Sequence, residues 1–359
     1  MKEMAVRENI EALAVHFTAG IAAGTLLLRL PADPVLLSSG LLLVLSTLVV
    51  FVLKKPRPGP LFAVFVLLGA FCAFTDAFPG AETTTFLERR ASAWAQRLRA
   101  SIDGIPFPSE GTAPLLKALL TGDRSDLPKD TVRVFRESGG AHLLALSGLH
   151  IGILYLILSR LLWPLGNSPR ARCVRYALIV LSAGLFTLMT GASPSIVRAF
   201  LFIFLNETAR LACRPRDPVR VLCTALLIQL VITPSAITSV GFQLSYLAMA
   251  GIFLLFPILA CWYPAGPRFD PVRKVWEAAA LSISCQVFTG PLAWLRFHTF
   301  PTYFLLTNLL ALPLTTLLMG TAVATLILRG LGCCPGFLLQ ATDLLCSVLV
   351  RVLEIIESM

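Results

Sequence analysis

Charge is scarce in this sequence. Asp, Glu, Lys and Arg make up 14% of its 359 residues, while 56% are hydrophobic; a soluble domain carries about 25% charge. That shortage excludes a water-soluble enzyme built around one core, and the apolar excess excludes a disordered chain. Histidine is rarer still, at four residues, and none of the nine cysteines forms a C-x-x-C pair. Both facts argue against a zinc framework, so the cysteines read as small apolar residues and no cofactor is implied. Short alternating segments are missing too, which removes a transmembrane barrel. The amino terminus has no cleavable signal pattern, because its first apolar run is long and reads as an uncleaved span.

What the sequence has in quantity is long apolar runs. A bilayer core of about 30 Å needs about 20 such residues in a helix. By that measure about eleven spans are expected, near 12–30, 35–53, 60–78, 142–163, 174–190, 193–212, 219–233, 237–258, 275–297, 302–329 and 334–353. The fold class is all-α, a polytopic transmembrane bundle. Its parts are amino-terminal helices over 1–78, a short extracytoplasmic segment over 79–141 and a membrane core over 142–359.

The formal net charge is +10. It has two readings, basic cytoplasmic loops or a polyanionic partner. Lys54, Lys55 and Arg57 follow the second span. Arg160, Arg170 and Arg172, then Arg210, Arg214 and Arg216, then Arg268, Arg273 and Lys274 mark every second connection after it. The alternate connections around Gly191 and Pro234 carry no basic residue. This alternation puts the amino terminus in the cytoplasm and 79–141 outside. Within 79–141, Leu87, Trp94, Leu98 and Ile102 fall near one helical face, with Arg89, Arg90, Arg97 and Arg99 largely elsewhere. Such a helix either lies on the membrane surface or packs on its neighbours. Two short helices follow, with Thr112 and Asp126 as candidate caps, and with Gly122 and Gly139-Gly140 as stops.

Polar residues within apolar runs are costly unless paired or wetted. Ser147 and His150 share a helical face, and Gly148 and Gly152 form a small-residue stripe suited to close helix approach. Arg198 is the clearest intramembrane charge; it must meet a polar cavity, a counter-ion or a phosphate, or reach an interface. Glu207 can pair with Arg210 or Arg214 one turn onward. Gln229, Gln243, Ser245, Tyr246, Thr307 and Asn308 add polar positions, and Ser282, Gln286 and Thr289 share one helical face. Several such stripes point to a shared hydrated path, with Pro257, Pro291 and Pro313 able to kink helices around it.

These residues form ordered blocks. The first runs from Ala118-Leu119-Leu120-Thr121-Gly122-Asp123-Arg124-Ser125 through Phe135-Arg136-Glu137-Ser138-Gly139 to His142-Leu143-Leu144-Ala145-Leu146-Ser147-Gly148-Leu149-His150-Ile151-Gly152. Ser193-Pro194-Ser195-Ile196-Val197-Arg198-Ala199 is the second, and Val240-Gly241-Phe242-Gln243-Leu244-Ser245-Tyr246 opens the third. Later segments, Gln286 to Pro291 and Asn308 to Pro313, complete the order. Together they resemble the ComEC-type competence proteins over about residues 110–330. The resemblance implies a channel in the bacterial inner membrane that passes single-stranded DNA to the cytoplasm during natural transformation, in contact with membrane lipids. Arg124, Ser147, His150, Ser195, Arg198, Gln243, Ser245, Gln286 and Asn308 are then candidates for the DNA path, with Gly148, Gly152 and Gly241 as helix-packing positions. Family members often add an oligonucleotide-binding barrel and a metallo-β-lactamase-like domain. Residues 79–111 are too few for such a barrel, and no histidine-rich metal motif follows the last span. A separate DNA receptor, nuclease and cytoplasmic DNA motor are therefore expected as partners. Two other readings stay open: an intramembrane serine hydrolase using Ser147, and a transporter of another anionic polymer or lipid, which Arg198 would serve equally.

Overall fold

The computed structural model describes residues 2–27, 58–76, 86–263, 270–298 and 303–359. Every regular element among them is helical, because a helix satisfies its own backbone groups where no water can. In chain order the first helices are α1 (Lys2–Leu27), α2 (Pro58–Asp76), α3 (Phe86–Asp103), α4 (Thr112–Thr121), α5 (Lys129–Glu137) and α6 (Ala141–Leu144). Next come α7 (Gly148–Leu161), α8 (Pro169–Met189), α9 (Pro194–Leu211), α10 (Pro218–Ile232) and α11 (Val240–Leu254). The short α12 (Phe256–Ala260) precedes α13 (Pro271–Phe297), α14 (Phe304–Gly330) and α15 (Gly336–Glu357).

Among the described residues, six stretches are long and apolar enough to cross a membrane: 148–165, 169–189, 240–260, 271–297, 304–330 and 336–357. The expected eleven are not confirmed by these six. The expected span at 35–53 lies outside the described residues. Those at 12–30, 60–78 and 219–233 contain shorter apolar helices, Ile10–Leu26, Ala63–Ala73 and Pro218–Ile232. The one at 193–212 forms α9, which carries Arg198, Glu207 and Arg210 within 18 residues and so has too much charge to count as a simple span.

The chain divides into two compact units, residues 1–83 with 204–243 and residues 84–203 with 244–359. In the first, α1 and α2 meet backbone to backbone. A Cβ on Gly20 would stand 1.9 Å from the Val66 carbonyl oxygen, and one on Gly69 2.1 Å from that of Phe17. Phe17, Ile21, Ala70 and Ala73 fill the rest of the contact, and Glu207 pairs with Arg210 as its spacing predicts.

In the second unit, residues 86–144 share a core with the last two helices. Ile102 of α3, Leu119 of α4, Phe135 of α5 and Leu143 of α6 pack with Leu318 of α14 and Leu349 of α15. A second cluster, Ile151, Ile179, Ala183, Ile196 and Ile203, joins α7, α8 and α9. Gly122, at φ +77°, ends α4 by donating its N–H to the Ala118 carbonyl, a left-handed stop that glycine adopts without strain.

The expected caps need correction. Thr112 does not cap α4; its hydroxyl donates to Asp343 of α15 at 2.5 Å. The Ser109 N–H and hydroxyl donate to the same carboxylate at 3.1 and 2.8 Å. Asp126 does not cap α5 either; with Asp103 it holds the buried Lys117 ammonium. Hydrogen bonds that the ammonium donates to Asp103, then to Asp126, raise the Lys117 pKa above the ordinary lysine value. A raised folded-state pKa means this stabilisation is present at neutral pH and lost as pH climbs through that raised value. Asp343→Ala should lower stability by about 2 kcal/mol, since hydrogen bonds to a charged acceptor contribute about 1.5–3 kcal/mol each when well shielded. Thermal unfolding in detergent reads this directly, and an unchanged Tm would refute it.

Candidate functional site

Three of the polar residues singled out in the sequence, Ser147, His150 and Arg198, gather around the first turn of α7. Ser147 is its N-cap, in extended conformation, and its hydroxyl accepts from the Leu149 N–H at 3.3 Å. His150, three residues on, accepts the Ser147 backbone N–H on Nδ1 at 3.2 Å. This is a capping box with histidine in the place usually taken by Glu or Gln. It fixes the tautomer: Nδ1 is the acceptor, so the neutral ring carries its proton on Nε2. His150 is 1% exposed, and its Nε2 has no partner among the described residues.

Arg198 of α9 stands beside this turn. It is 9% exposed. One guanidinium nitrogen donates to the Ser245 carbonyl of α11, and the guanidinium carbon lies 5.8 Å from the Tyr246 ring centroid, within cation–π range. No carboxylate among the described residues forms an ion pair with it. Its other terminal nitrogen lies 3.4 Å from where a Cβ on Gly148 would stand, and the Ala199 Cβ 3.3 Å from the same point. Gly148 therefore makes room for a guanidinium. Of the expected packing glycines, Gly148 also lets the Ala199 Cβ of α9 approach, a Cβ on Gly152 would meet nothing within 4 Å among the described residues, and one on Gly241 would stand 3.8 Å from the Ser239 hydroxyl. A helical contact of the second unit that requires glycine is at Gly251, where a Cβ would stand 2.3 Å from the Ser284 carbonyl oxygen. Ser245 contributes its carbonyl to Arg198, a role that no side-chain pattern reveals.

The other candidates are distributed differently. Arg124 donates to the Leu144 carbonyl at 2.7 Å and braces the chain ahead of α7. The Asn308 side-chain Oδ1 is buried without a hydrogen-bond partner among the described residues. The neighbouring Thr307 hydroxyl donates to the Ser138 carbonyl, so the start of α14 is tied to the turn before α6. Ser195 is half-buried in the first turn of α9. Gln286 lines an open, largely apolar cleft of about 440 Å³ with Ile283, Gly290, Pro291, Trp294 and Phe304. Gln243 belongs to the first unit, where its amide donates to the Ile237 carbonyl at 2.7 Å.

The arrangement around Arg198 brings two sources of positive potential together. The helix α7 amino terminus carries partial positive charge, and the guanidinium beside it is held by a carbonyl and an aromatic face. Such a place attracts anions.

Comparison with known proteins places the chain. A family model described as "Competence protein" matches residues 119–359. The chain belongs to the competence-protein family. This membrane protein is 27% identical over 250 residues to "ComE operon protein 3" of Bacillus subtilis (strain 168), covering 69% of this chain and 30% of the relative. It is 27% identical over 236 residues to "Uncharacterized protein YcaI" of Escherichia coli (strain K12), covering 64% and 30%. "Recombination protein 2" of Haemophilus influenzae (strain ATCC 51907 / DSM 11121 / KW20 / Rd) is 27% identical over 218 residues, covering 57% and 27%. The competence protein thus spans under a third of the length of these relatives. No solved structure matches it. All twelve candidate path and packing residues fall inside the family segment, whereas α3 lies before it.

Proposed function

We propose that this competence protein acts in DNA uptake for natural transformation, as a cytoplasmic-membrane channel through which one DNA strand passes to the cytoplasm. The observation that carries this reading is Arg198, a buried guanidinium beside the α7 amino terminus with no carboxylate paired to it among the described residues. A strand crossing hydrocarbon needs its phosphate charge compensated along a wetted path. A buried cation held by a neutral carbonyl keeps its charge for a passing anion, whereas one bound to Asp or Glu would not. The names of two relatives, "ComE operon protein 3" and "Recombination protein 2", agree with this assignment. The test is uptake of labelled DNA by a deletion strain and its complemented derivative, scoring surface-bound, nuclease-protected and cytosolic DNA separately. Equal cytosolic DNA in both strains would end the proposal.

The serine hydrolase reading draws on one contact, the Ser147 hydroxyl 3.2 Å from His150 Nδ1. In a catalytic dyad the base needs an orienting partner on its far nitrogen. Here Nδ1 already accepts the Ser147 N–H, and the far nitrogen, Nε2, meets no partner among the described residues. The capping role therefore accounts for the contact more simply. Ser147→Ala should cost about 1 kcal/mol of stability, the usual value of an N-cap, and lower uptake less than twofold. Abolished function with normal expression, together with labelling of Ser147 by a serine-reactive fluorophosphonate, would favour the hydrolase.

A further inference from the structure

Loop charge alone would keep the whole of 79–141 on one side of the membrane. The contacts of residues 104–138 reach both ends of a membrane helix instead. At one end, the Arg329 guanidinium in the last turn of α14 donates to the Gly104 carbonyl, and the Ser109 and Thr112 hydroxyls hold Asp343 in the first half of α15. At the other end, the Thr307 hydroxyl in the first turn of α14 donates to the Ser138 carbonyl, and Arg133 pairs at 3.5 Å with Glu357, the last residue of α15. Thr307 and Arg329 are about 33 Å apart along a helix rising 1.5 Å per residue, about the thickness of a bilayer core. Both helices are apolar enough to span. They also keep large apolar side chains exposed along that length, Leu306, Leu310, Leu317 and Ile327 on α14 and Leu344 and Ile355 on α15. Such faces suit lipid, so the segment packed beside them lies at membrane depth.

Within this segment α3 and α4 run antiparallel. Arg99 pairs with Asp123 at 3.1 Å and Asp103 with Lys117 at 2.7 Å, and Asp126 meets the same ammonium. We infer that α3 and α4 form a re-entrant hairpin whose ion-paired edge lines a water-filled vestibule. The hairpin enters from the side on which α7 begins, turns at 104–111 beside the α14–α15 connection and returns to the entry side through α5, where the vestibule opens. Its apolar side is used within the protein, because Ile102, Leu115, Leu116 and Leu119 are buried in one core with α14 and α15. Its ion-paired edge is wet: the Asp103 and Asp126 side chains are 53% and 55% exposed. Half-exposed ions at bilayer depth need water, since hydrocarbon does not solvate them. The turn makes the same demand. Pro106, Pro108, Ser109 and Glu110 are exposed, and non-helical backbone at membrane depth is tolerated only against protein or water. On α5, Lys129, Asp130, Arg133 and Arg136 are exposed, a charge density that suits the membrane surface beside the start of α14. No long apolar run announces this element, because α4 has 10 residues and covers only about 15 Å. The inference is independent of what crosses the membrane.

The test labels the full chain with a membrane-impermeant sulfonated maleimide, from outside in spheroplasts and from the cytoplasmic side in inside-out vesicles. Cys333, exposed in the α14–α15 connection, is kept as the marker of that end, and the other native cysteines are replaced by alanine. Three exposed positions are read beside it: Glu110→Cys at the turn, Arg136→Cys at the end of α5, and Ala100→Cys, which shares a helical face with Asp103. Because all three are exposed, these variants should keep the Tm of the background protein. Glu110→Cys should label from the Cys333 side. Arg136→Cys should label from the opposite side, and Ala100→Cys should react from that same opposite side through the vestibule. Failure of Glu110→Cys to label from the Cys333 side would overturn the hairpin, since the turn would not reach that end. A common side for Cys333 and Arg136→Cys would do so too, because α14 would then not cross. An Ala100→Cys that reacts from the Cys333 side alone, or from neither side, would overturn the vestibule. On unaltered protein in nanodiscs, hydroxyl-radical footprinting should oxidise Phe107 of the turn and spare Leu310 and Leu317. Oxidation of those two leucines to the level of the denatured chain would place α14 in water and overturn the inference without any substitution.

Discussion

Arg198→Gln should lower the amount of DNA reaching the cytosol by about 10–100-fold while surface-bound DNA stays at the wild-type level. The magnitude follows from the loss of a charge-assisted contact in a shielded place, about 1.5–3 kcal/mol, at about 1.4 kcal/mol per factor of ten. Glutamine retains a donor for the Ser245 carbonyl but has no charge to offer a phosphate. Arg198→Lys should recover only part of the activity. A lysine ammonium lacks the planar fork that contacts the Ser245 carbonyl and spreads over Tyr246 at the same time. Gly148→Ala should show a milder defect of the same kind, because its methyl would press on the guanidinium and on Ala199 from 3.3–3.4 Å. Protein level and Tm are measured alongside uptake. Full cytosolic delivery by well-folded Arg198→Gln protein would remove this residue from the path and with it the main support for a phosphate-compensating channel.

The largest stability effect is expected at the α1–α2 contact. Gly20→Val or Gly69→Val places side-chain carbon within about 2 Å of a backbone carbonyl oxygen on the facing helix. No rotamer relieves a clash that begins at Cβ, so the helices must separate and lose their packing along the whole contact. The cost should be about 3 kcal/mol or more, at the upper end for overpacked interiors, and should appear as poor membrane accumulation and a lower Tm in detergent. Gly251→Val should act similarly in the other unit, against the Ser284 backbone. Gly152→Ala is the contrast. Its Cβ meets open space, and alanine favours a helix by about 1 kcal/mol, so this variant should be neutral or slightly stabilising. Equal behaviour of Gly69→Val and Gly152→Ala would show that the close helix contact is not needed for folding.

Some of this was written plainly in the chain. Long apolar runs identified membrane helices, because hydrocarbon accepts little else. Arg198 stood out because an intramembrane cation is expensive wherever it points. Gly122 was legible as a helix stop, since its effect depends on local backbone freedom. The capping box at Ser147 and His150 lay within four residues, but histidine at a position usually held by Glu or Gln concealed it, and the pair read as two residues sharing a helix face.

Tertiary structure decided the partners. Arg198 takes the Ser245 carbonyl 47 residues away, and the Ser109 backbone reaches Asp343 across 234 positions. Periodicity showed that α3 has two sides but could not tell which is buried; packing of Ala91 and Ala95 turned Trp94 outward. The same holds for glycines: Gly20, Gly69 and Gly251 admit a neighbouring backbone, Gly148 admits a guanidinium, and Gly152 faces open space. Sequence spacing sets which residues share a helical face, because that depends only on the geometry of one helix. What the face meets depends on helices distant in sequence, and only their packing determines it.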